Sequence, residues 1–238
     1  SLMHVSALES FEDFKKIYLS RFKDKEIKIV EIGSQAINSS IKNKLNKNVN
    51  YIGVDICEGE NVDIVLEDPY KLPFENNSID VIISISTFEH TQFFWLSYLE
   101  ILRVLKKEGL FFLNVPSNSK FHRHETDNWR FYPDSSLALQ RWGERNNFNP
   151  EVLEHYTNLE TGRDIWNDYV SITIKDKSYS EKYPNRILDF KKNFTNGRKN
   201  LSDEILNYKE LPQDQDNWGW KLYYKLRKFI NKVSSKKF

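Results

Sequence analysis

The chain has 238 residues, enough for one large domain with a sizeable core, or for a domain with an appendage. Aromatic residues make up 14% of it, too many for a disordered chain, and a formal net charge of +1 gives no global attraction to nucleic acid or membrane. A single cysteine, Cys57, excludes an intramolecular disulfide and fits a reducing, cytoplasmic setting.

At the N-terminus, Ser1 and Leu2 ahead of Met3 read as a cloning remnant, and no signal-peptide apolar segment follows. Residues 7–22 place Leu8, Phe11, Phe14, Tyr18 and Phe22 at helical spacing, which predicts a helix covering the edge or mouth of a sheet. The stretch from Ile27 to Asp55 organises the rest. An apolar run (Ile27, Ile29, Val30, Ile32) stops at Gly33. A polar loop and a helix-like segment follow, then a second apolar run (Tyr51, Ile52, Val54) ending in Asp55. This is the first half of a nucleotide-binding βαβ unit. A glycine after the first strand lets a ligand approach the backbone, and an acid at the tip of the second can accept hydrogen bonds from both ribose hydroxyls. The G-x-G-x-x-G fingerprint is incomplete, because Gln35 stands where the second glycine belongs. That argues against a tightly held pyrophosphate. It leaves an adenosine ligand without phosphates, or an ordinary buried βαβ unit.

A turn at Cys57–Asn61 precedes a short strand, Val62–Leu66. Pro69 and Pro73 force an irregular loop, and Asn76-Asn77-Ser78 is a turn. Ile79–Ile85 reads as a strand covered on both faces, ending in the polar run Ser86 to His90, where doubly wound sheets bind ligands. Phe93–Lys107 predicts an amphipathic helix closed by Gly109 at C′, and Leu110–Val115 a fifth strand. After a polar loop, Ser117–Pro133, a helix is expected over Asp134–Arg145 with Asp134 as its cap. Val152–Tyr156 and Tyr169–Ile174 predict two last strands, the second alternating as an antiparallel edge strand does. Alternating β/α units with a late β pair imply a three-layer α/β sandwich.

From Lys175 the chain turns Lys- and Asn-rich, with no repeat. Near its end Leu222, Leu226, Phe229, Ile230 and Val233 form one helical stripe, lined by Lys221, Lys225, Arg227, Lys228 and Lys232. Such a helix docks on its own domain or on a second copy as a homodimer, or makes a peripheral contact with an anionic surface. Residues 218–238 hold seven Lys or Arg and no acid, so the remainder is net acidic, which disfavours a nucleic-acid partner. No apolar run reaches the ~18 residues of a transmembrane segment.

Four segments, VEIGSQAINSS, YIGVDI, LEDPYKLPFENNSIDVIISISTFEH and LRVLKKEGLFFLNVPSN, resemble the class I S-adenosylmethionine-dependent methyltransferases over roughly Lys28 to Tyr156. FHRHETDNWRFYPDSSLAL resembles a narrower subgroup, methyltransferases associated with bacterial cell-surface glycan biosynthesis. The resemblance implies an α/β/α sandwich with a Rossmann-like, mostly parallel seven-stranded sheet and an antiparallel edge strand. Residues 3–175 would be the methyltransferase domain, and 176–238 a helical extension packing on the domain or on a partner. It also implies S-adenosylmethionine as cofactor and S-adenosylhomocysteine as product. Glu31 and Gly33, with Ser34 and Gln35, would flank the methionine end. Asp55 would hold the ribose, Ile56 would pack on adenine, Asp68 and Pro69 would meet the adenine amino group, and Ser86 and Thr87 would line the region near the sulfonium.

The expected reaction is O-methylation of a small-molecule acceptor, a sugar or a phosphate-bearing precursor of capsule or lipopolysaccharide. The alternatives are another small metabolite, or a non-catalytic binding or assembly protein of the same fold. An alcohol acceptor must lose a proton, and His90 and His124 are the expected catalytic residues. His90 can equally cap the next helix or orient Glu89. The loop from Phe121 to Tyr132 has three readings: acceptor binding through His122, Arg123, Asp127 and Arg130; a metal held by His122, His124 and Asp127; or a scaffold packed by its aromatics. The first is the expectation adopted, with no metal. His155 is expected to be structural.

Overall fold

A computed structural model of the chain describes residues 5–35, 41–123, 125–159, 166–200, 202–210, 218–220, 222–223 and 225–227. The chain forms two compact units, Ser1–Tyr208 and Lys209–Phe238. In the second, the described residues 218–220, 222–223 and 225–227 are helical; Phe229, Ile230 and Val233 of the expected stripe lie outside the described residues.

The first unit carries helix α1 (Val5–Ile17), strands β1 (Ile27–Ile32), β2 (Val49–Asp55), β3 (Ile64–Val65) and β4 (Ile79–Ile85), helix α2 (Phe94–Val104), strand β5 (Leu105–Pro116), helix α3 (Ser135–Arg145), and strands β6 (Glu151–Asn158), β7 (Asp168–Ile174) and β8 (Phe194–Lys199). The strands form one eight-stranded sheet in the order β3-β2-β1-β4-β5-β7-β6-β8. Pairing is parallel from β3 to β5 and antiparallel through β7, β6 and β8. This is the expected α/β/α, Rossmann-like arrangement, with the parallel strands ending on one edge. Among the described residues no helix is long and apolar enough to cross a membrane.

Alternation along the strands builds two cores. Ile29, Val81, Ile83, Leu110 and Phe112 meet Phe11, Phe14 and Tyr18 on one face. Val30, Ile82, Phe111 and Leu113 meet Tyr98, Ile101, Leu102 and Leu139 of α2 and α3 on the other. Each fully buried ring or branched chain contributes roughly 1.5–3 kcal/mol. Glu154 of β6, with no exposed surface, joins the N-terminal segment to the chain after β7. It accepts from Tyr18 Oη at 2.6 Å, Ile187 N at 2.7 Å and Leu188 N at 2.9 Å.

Several elements depart from the sequence reading. The first helix gives way to a 3-10 turn at Leu19–Phe22. Of the helix expected between β1 and β2, the described part is one 3-10 turn, Lys42–Lys44, and 36–40 lie outside the described residues. β3 is only two residues long. The helix expected to run to Lys107 ends at Val104, because Leu105 already pairs with Ile79 of β4 and is fully buried. Asp134 holds the cap position of α3 without a side-chain cap bond. β7 is not the edge: all seven of its residues are buried between β5 and β6. The edge is β8, an eighth strand from sequence that the reading assigned to a separate extension beginning at 176.

Tyr18→Phe removes one of three donors to a buried carboxyl. It should cost about 1–3 kcal/mol in urea unfolding; an unchanged midpoint would show that this clamp contributes nothing.

Candidate active site

A cavity of about 330 Å³ opens at the carboxyl ends of β1, β2 and β4. Of the residues put forward from sequence, Glu31, Gly33, Ser34, Gln35, Asp55, Ile56, Pro69, Ser86, Thr87 and His90 line it. Asp68 is exposed, and its carboxylate accepts from Tyr70 N at 2.8 Å; Asp68 is not among the lining residues, but its neighbours Pro69 and Tyr70 are. His124 lies outside the described residues.

Gly33 has φ +78° and sits so close to β4's end that a Cβ would fall 2.0 Å from Thr87 Oγ1. This position demands glycine on both counts. Asp55 accepts from Gln35 N at 3.1 Å and Cys57 N at 3.2 Å, which holds its carboxylate on the cavity wall. The Gln35 side chain turns aside and donates to Glu58 O at 3.0 Å, so a glycine is not required there. Ser34 is buried, and its Oγ has no hydrogen-bond partner among the described residues. Ser86 takes φ +51° as the chain leaves β4, a conformation that non-glycine residues seldom adopt outside functional turns.

Glu31 is buried and accepts a hydrogen bond from Tyr51 Oη. Burial, helped by the charge of Asp55 and opposed by the Tyr51 hydrogen bond, pushes its pKa from 4.5 to about 7. Glu89 is 1% exposed, and burial pushes its pKa to about 8.

The loop after β5 folds back over residues 89–91. Asn128 N and Trp129 N donate to Glu89 O at 2.8 and 3.1 Å, and Thr126 Oγ1 donates to His90 O at 2.8 Å. In return His90 Nδ1 donates to Thr126 O. Glu125 and Thr126 thereby reach the cavity wall, as do Tyr70 and Gln92. None of these four is put forward as a site residue by the sequence, although Glu125 belongs to its chemically rich loop, because their place depends on where the backbone is tied.

His122, Arg123, Asp127 and Arg130 are not among the lining residues. The Asp127 side chain is 1% exposed and accepts both Arg130 Nη1 at 2.6 Å and Nη2 at 2.9 Å, with His122 N at 2.7 Å. Burial opposes its charge, but the Arg130 and His122 hydrogen bonds hold its pKa below the usual carboxylate range. Arg130 also donates to Trp129 O and Lys120 O, and Arg123 to Glu125 O. These arginines brace the loop. His155 is buried in β6, and burial lowers its pKa to about 4.

Residues 18–113 match the family described as a methyltransferase domain. No curated protein matches the chain in sequence. Among solved structures, the 1,6-didemethyltoxoflavin-N1-methyltransferase of Burkholderia thailandensis is 12% identical with a TM-score of 0.51, over 71% of this chain and 78% of that one. The cyclase SpnF is 12% identical with a TM-score of 0.54, over 71% and 81%. The CurJ carbon methyltransferase is 14% identical with a TM-score of 0.51, over 74% and 56%. At such identities the likeness shows the fold alone.

Two outcomes follow from the geometry. A carboxyl with a folded pKa of about 7 and an unfolded one of 4.5 binds more protons folded than unfolded between those values. The contribution of Glu31 to stability therefore falls as pH rises through that window, by on the order of 3 kcal/mol. Glu31→Gln should flatten the pH dependence of urea unfolding there; an unaltered slope would refute the assignment. Arg130→Ala strands a buried carboxylate and should lower stability by about 2–4 kcal/mol. Loss of acceptor turnover without loss of stability would make Arg130 a binding residue instead.

Proposed function

We propose that this chain transfers a methyl group from S-adenosylmethionine to an oxygen of a small polar acceptor, a sugar or phosphate-bearing precursor of a cell-surface glycan. The observation that carries the methyl-transfer reading is the cavity at the strand ends, with Gly33, Asp55 and Ser86 on successive turns around it. The glycan acceptor rests on the resemblance of residues 121–139 to one methyltransferase subgroup. Between the two acceptors the lining favours the sugar, since no Lys or Arg is among its described residues and Gln92, Glu125 and Thr126 suit hydroxyl groups.

The residues present fit the cofactor. Asp55 would take the ribose hydroxyls, with Ile56 and Leu66 against the base, and Pro69 beside it. Glu31 and Ser34 would flank the polar methionine end, and Ser86 and Thr87 the region near the sulfonium. When bound, S-adenosylmethionine supplies a methyl group already activated by its sulfonium. The chain's task is then alignment and exclusion of water, which can supply ~7–11 kcal/mol of the barrier. His90 is the described histidine on the cavity wall. Its Nδ1–H is committed to Thr126 O, so Nε2, 3.7 Å from Glu89 Oε1, is the basic atom of this ring. His124 is the second histidine in this proposal.

Calorimetry with S-adenosylhomocysteine tests the reading, and absence of binding at millimolar concentration would end it. Asp55→Ala should weaken that binding by about 1–3 kcal/mol through lost hydrogen bonds to ribose. Equal affinity in the variant would place the nucleoside elsewhere.

A further inference from the structure

We propose that Glu89, His90 and His122 bind one divalent transition-metal ion beside the cavity. One ligand atom from each of these side chains lies within 4.8 Å of the others. His90 Nε2 is 3.7 Å from Glu89 Oε1, and the two imidazole centroids are 5.1 Å apart. Around a metal with bonds of about 2.0–2.2 Å, neighbouring donor atoms sit roughly 3–3.5 Å apart. Closure of the widest separation by about 1.3–1.8 Å, through χ rotations of the three side chains, would complete the set.

The surroundings match what metal-binding histidines require, a fixed partner on the other ring nitrogen. His90 gives its Nδ1–H to Thr126 O, which leaves Nε2 as the nitrogen with the lone pair. His122 Nδ1 lies 3.4 Å from Asp127 Oδ2 and 3.4 Å from Arg130 Nη2. The two hydrogens on Nη2 already go to Lys120 O at 2.9 Å and Asp127 Oδ2 at 2.9 Å. The proton between His122 and Asp127 therefore belongs on Nδ1, and His122 also presents Nε2. The third ligand, Glu89, is 1% exposed, and its Oε2 has no hydrogen-bond partner among the described residues. A buried carboxyl with one oxygen unpartnered among the described residues, beside two imidazoles, is a group that a cation would satisfy. Spacing along the loop suggests His122 with His124 and Asp127; the fold instead joins His122 to the end of β4 and makes Asp127 its outer partner.

Two imidazoles and one carboxylate select zinc, cobalt, manganese or iron over the oxygen-loving magnesium and calcium. Three protein ligands leave open positions, and His90 is on the cavity wall. An acceptor hydroxyl held there would have its pKa lowered. Only this purpose rests on the methyl-transfer reading; the binding of metal does not. His90 Nε2 would then act on the acceptor through the ion and not as a free base.

The test uses tag-free, full-length protein, stripped with chelator and titrated with Co(II), whose visible bands report the coordination. The expected result is about one Co(II) per chain, displaced by zinc. Glu89→Gln and His122→Asn should each weaken Co(II) by more than about 100-fold, while S-adenosylhomocysteine affinity stays within about twofold. No stoichiometric Co(II) on the wild type, or binding that survives both substitutions, overturns the proposal. If neither variant folds, X-ray absorption of the zinc-loaded wild type decides: two imidazoles in the inner shell support the site, and one or none refutes it. Cobalt binding without S-adenosylhomocysteine binding would sink the methyltransferase reading and leave the metal site standing.

Discussion

The contact between Gly33 and Thr87 fixes the geometry on which the site depends. Thr87 Oγ1 lies 3.2 Å from Ile32 O and 3.1 Å from Ile85 O, so one hydroxyl proton is shared between the last carbonyls of β1 and β4. The main chain can come this near only because residue 33 has no Cβ. On its other side, Gly33 N and Ser34 N donate to Val54 O at 2.9 and 3.2 Å. Three strand ends are thereby joined, and the positions of Ser34, Asp55 and Ser86 follow from that junction. A larger residue at 33 would separate the strand ends before it touched any ligand.

The second level of construction is the strap of main-chain bonds between residues 89–91 and 126–129. Phe131 N returns to Pro116 O at 3.0 Å, so the loop begins and ends its excursion at the same strand end. Trp129 Nε1 donates to Thr91 O at 3.1 Å, and its ring packs on Phe94 and Trp95. The Asp127–Arg130 pair closes the loop internally. Across the mouth, Cys57 Sγ is 3.9 Å from Glu125 Oε1, so the turn after β2 and the loop after β5 meet over the cavity. Beside β5, the antiparallel direction of β7 sets Asp168 opposite Pro116.

Much of this was legible in the sequence where burial alone decides the residue type. β1, β4 and β5 are buried almost throughout, and only unbroken apolar runs can fill them. Gly33 was legible because so close an approach of two strand ends admits few residue types. β8 was not, since Phe194–Lys199 reads FTNGRK, and its place comes from pairing with β6 and not from its own pattern. The end of α2 was misplaced for a related reason: Lys106 and Lys107 suit a helix terminus, but a strand register overrides local propensity. Arg130 looked like an anion clamp because sequence shows the guanidinium and hides the buried carboxylate that already occupies it. Glu89 entered the sequence reading only as a group for His90 to orient, because nothing local announces that a carboxyl will be sealed from water.

The charge on the cavity wall ties these pieces to the chemistry. Glu31, Asp55 and Glu125 line it, and no Lys or Arg does among the described residues. Such a wall is poor for a nucleotide's phosphates and good for a nucleoside with positive charge on its amino-acid arm. The lone glycine and the side-turned Gln35 say the same in steric terms, since no nest of amides is built to wrap an anion. Glu31 sharpens the point. In the unliganded chain its pKa of about 7 leaves it partly protonated near neutrality. A cation arriving beside it stabilises the carboxylate, so ligand capture and proton release become one event. The burial that raises the acid's pKa is then what lets it prefer a cationic ligand over a neutral one of the same shape.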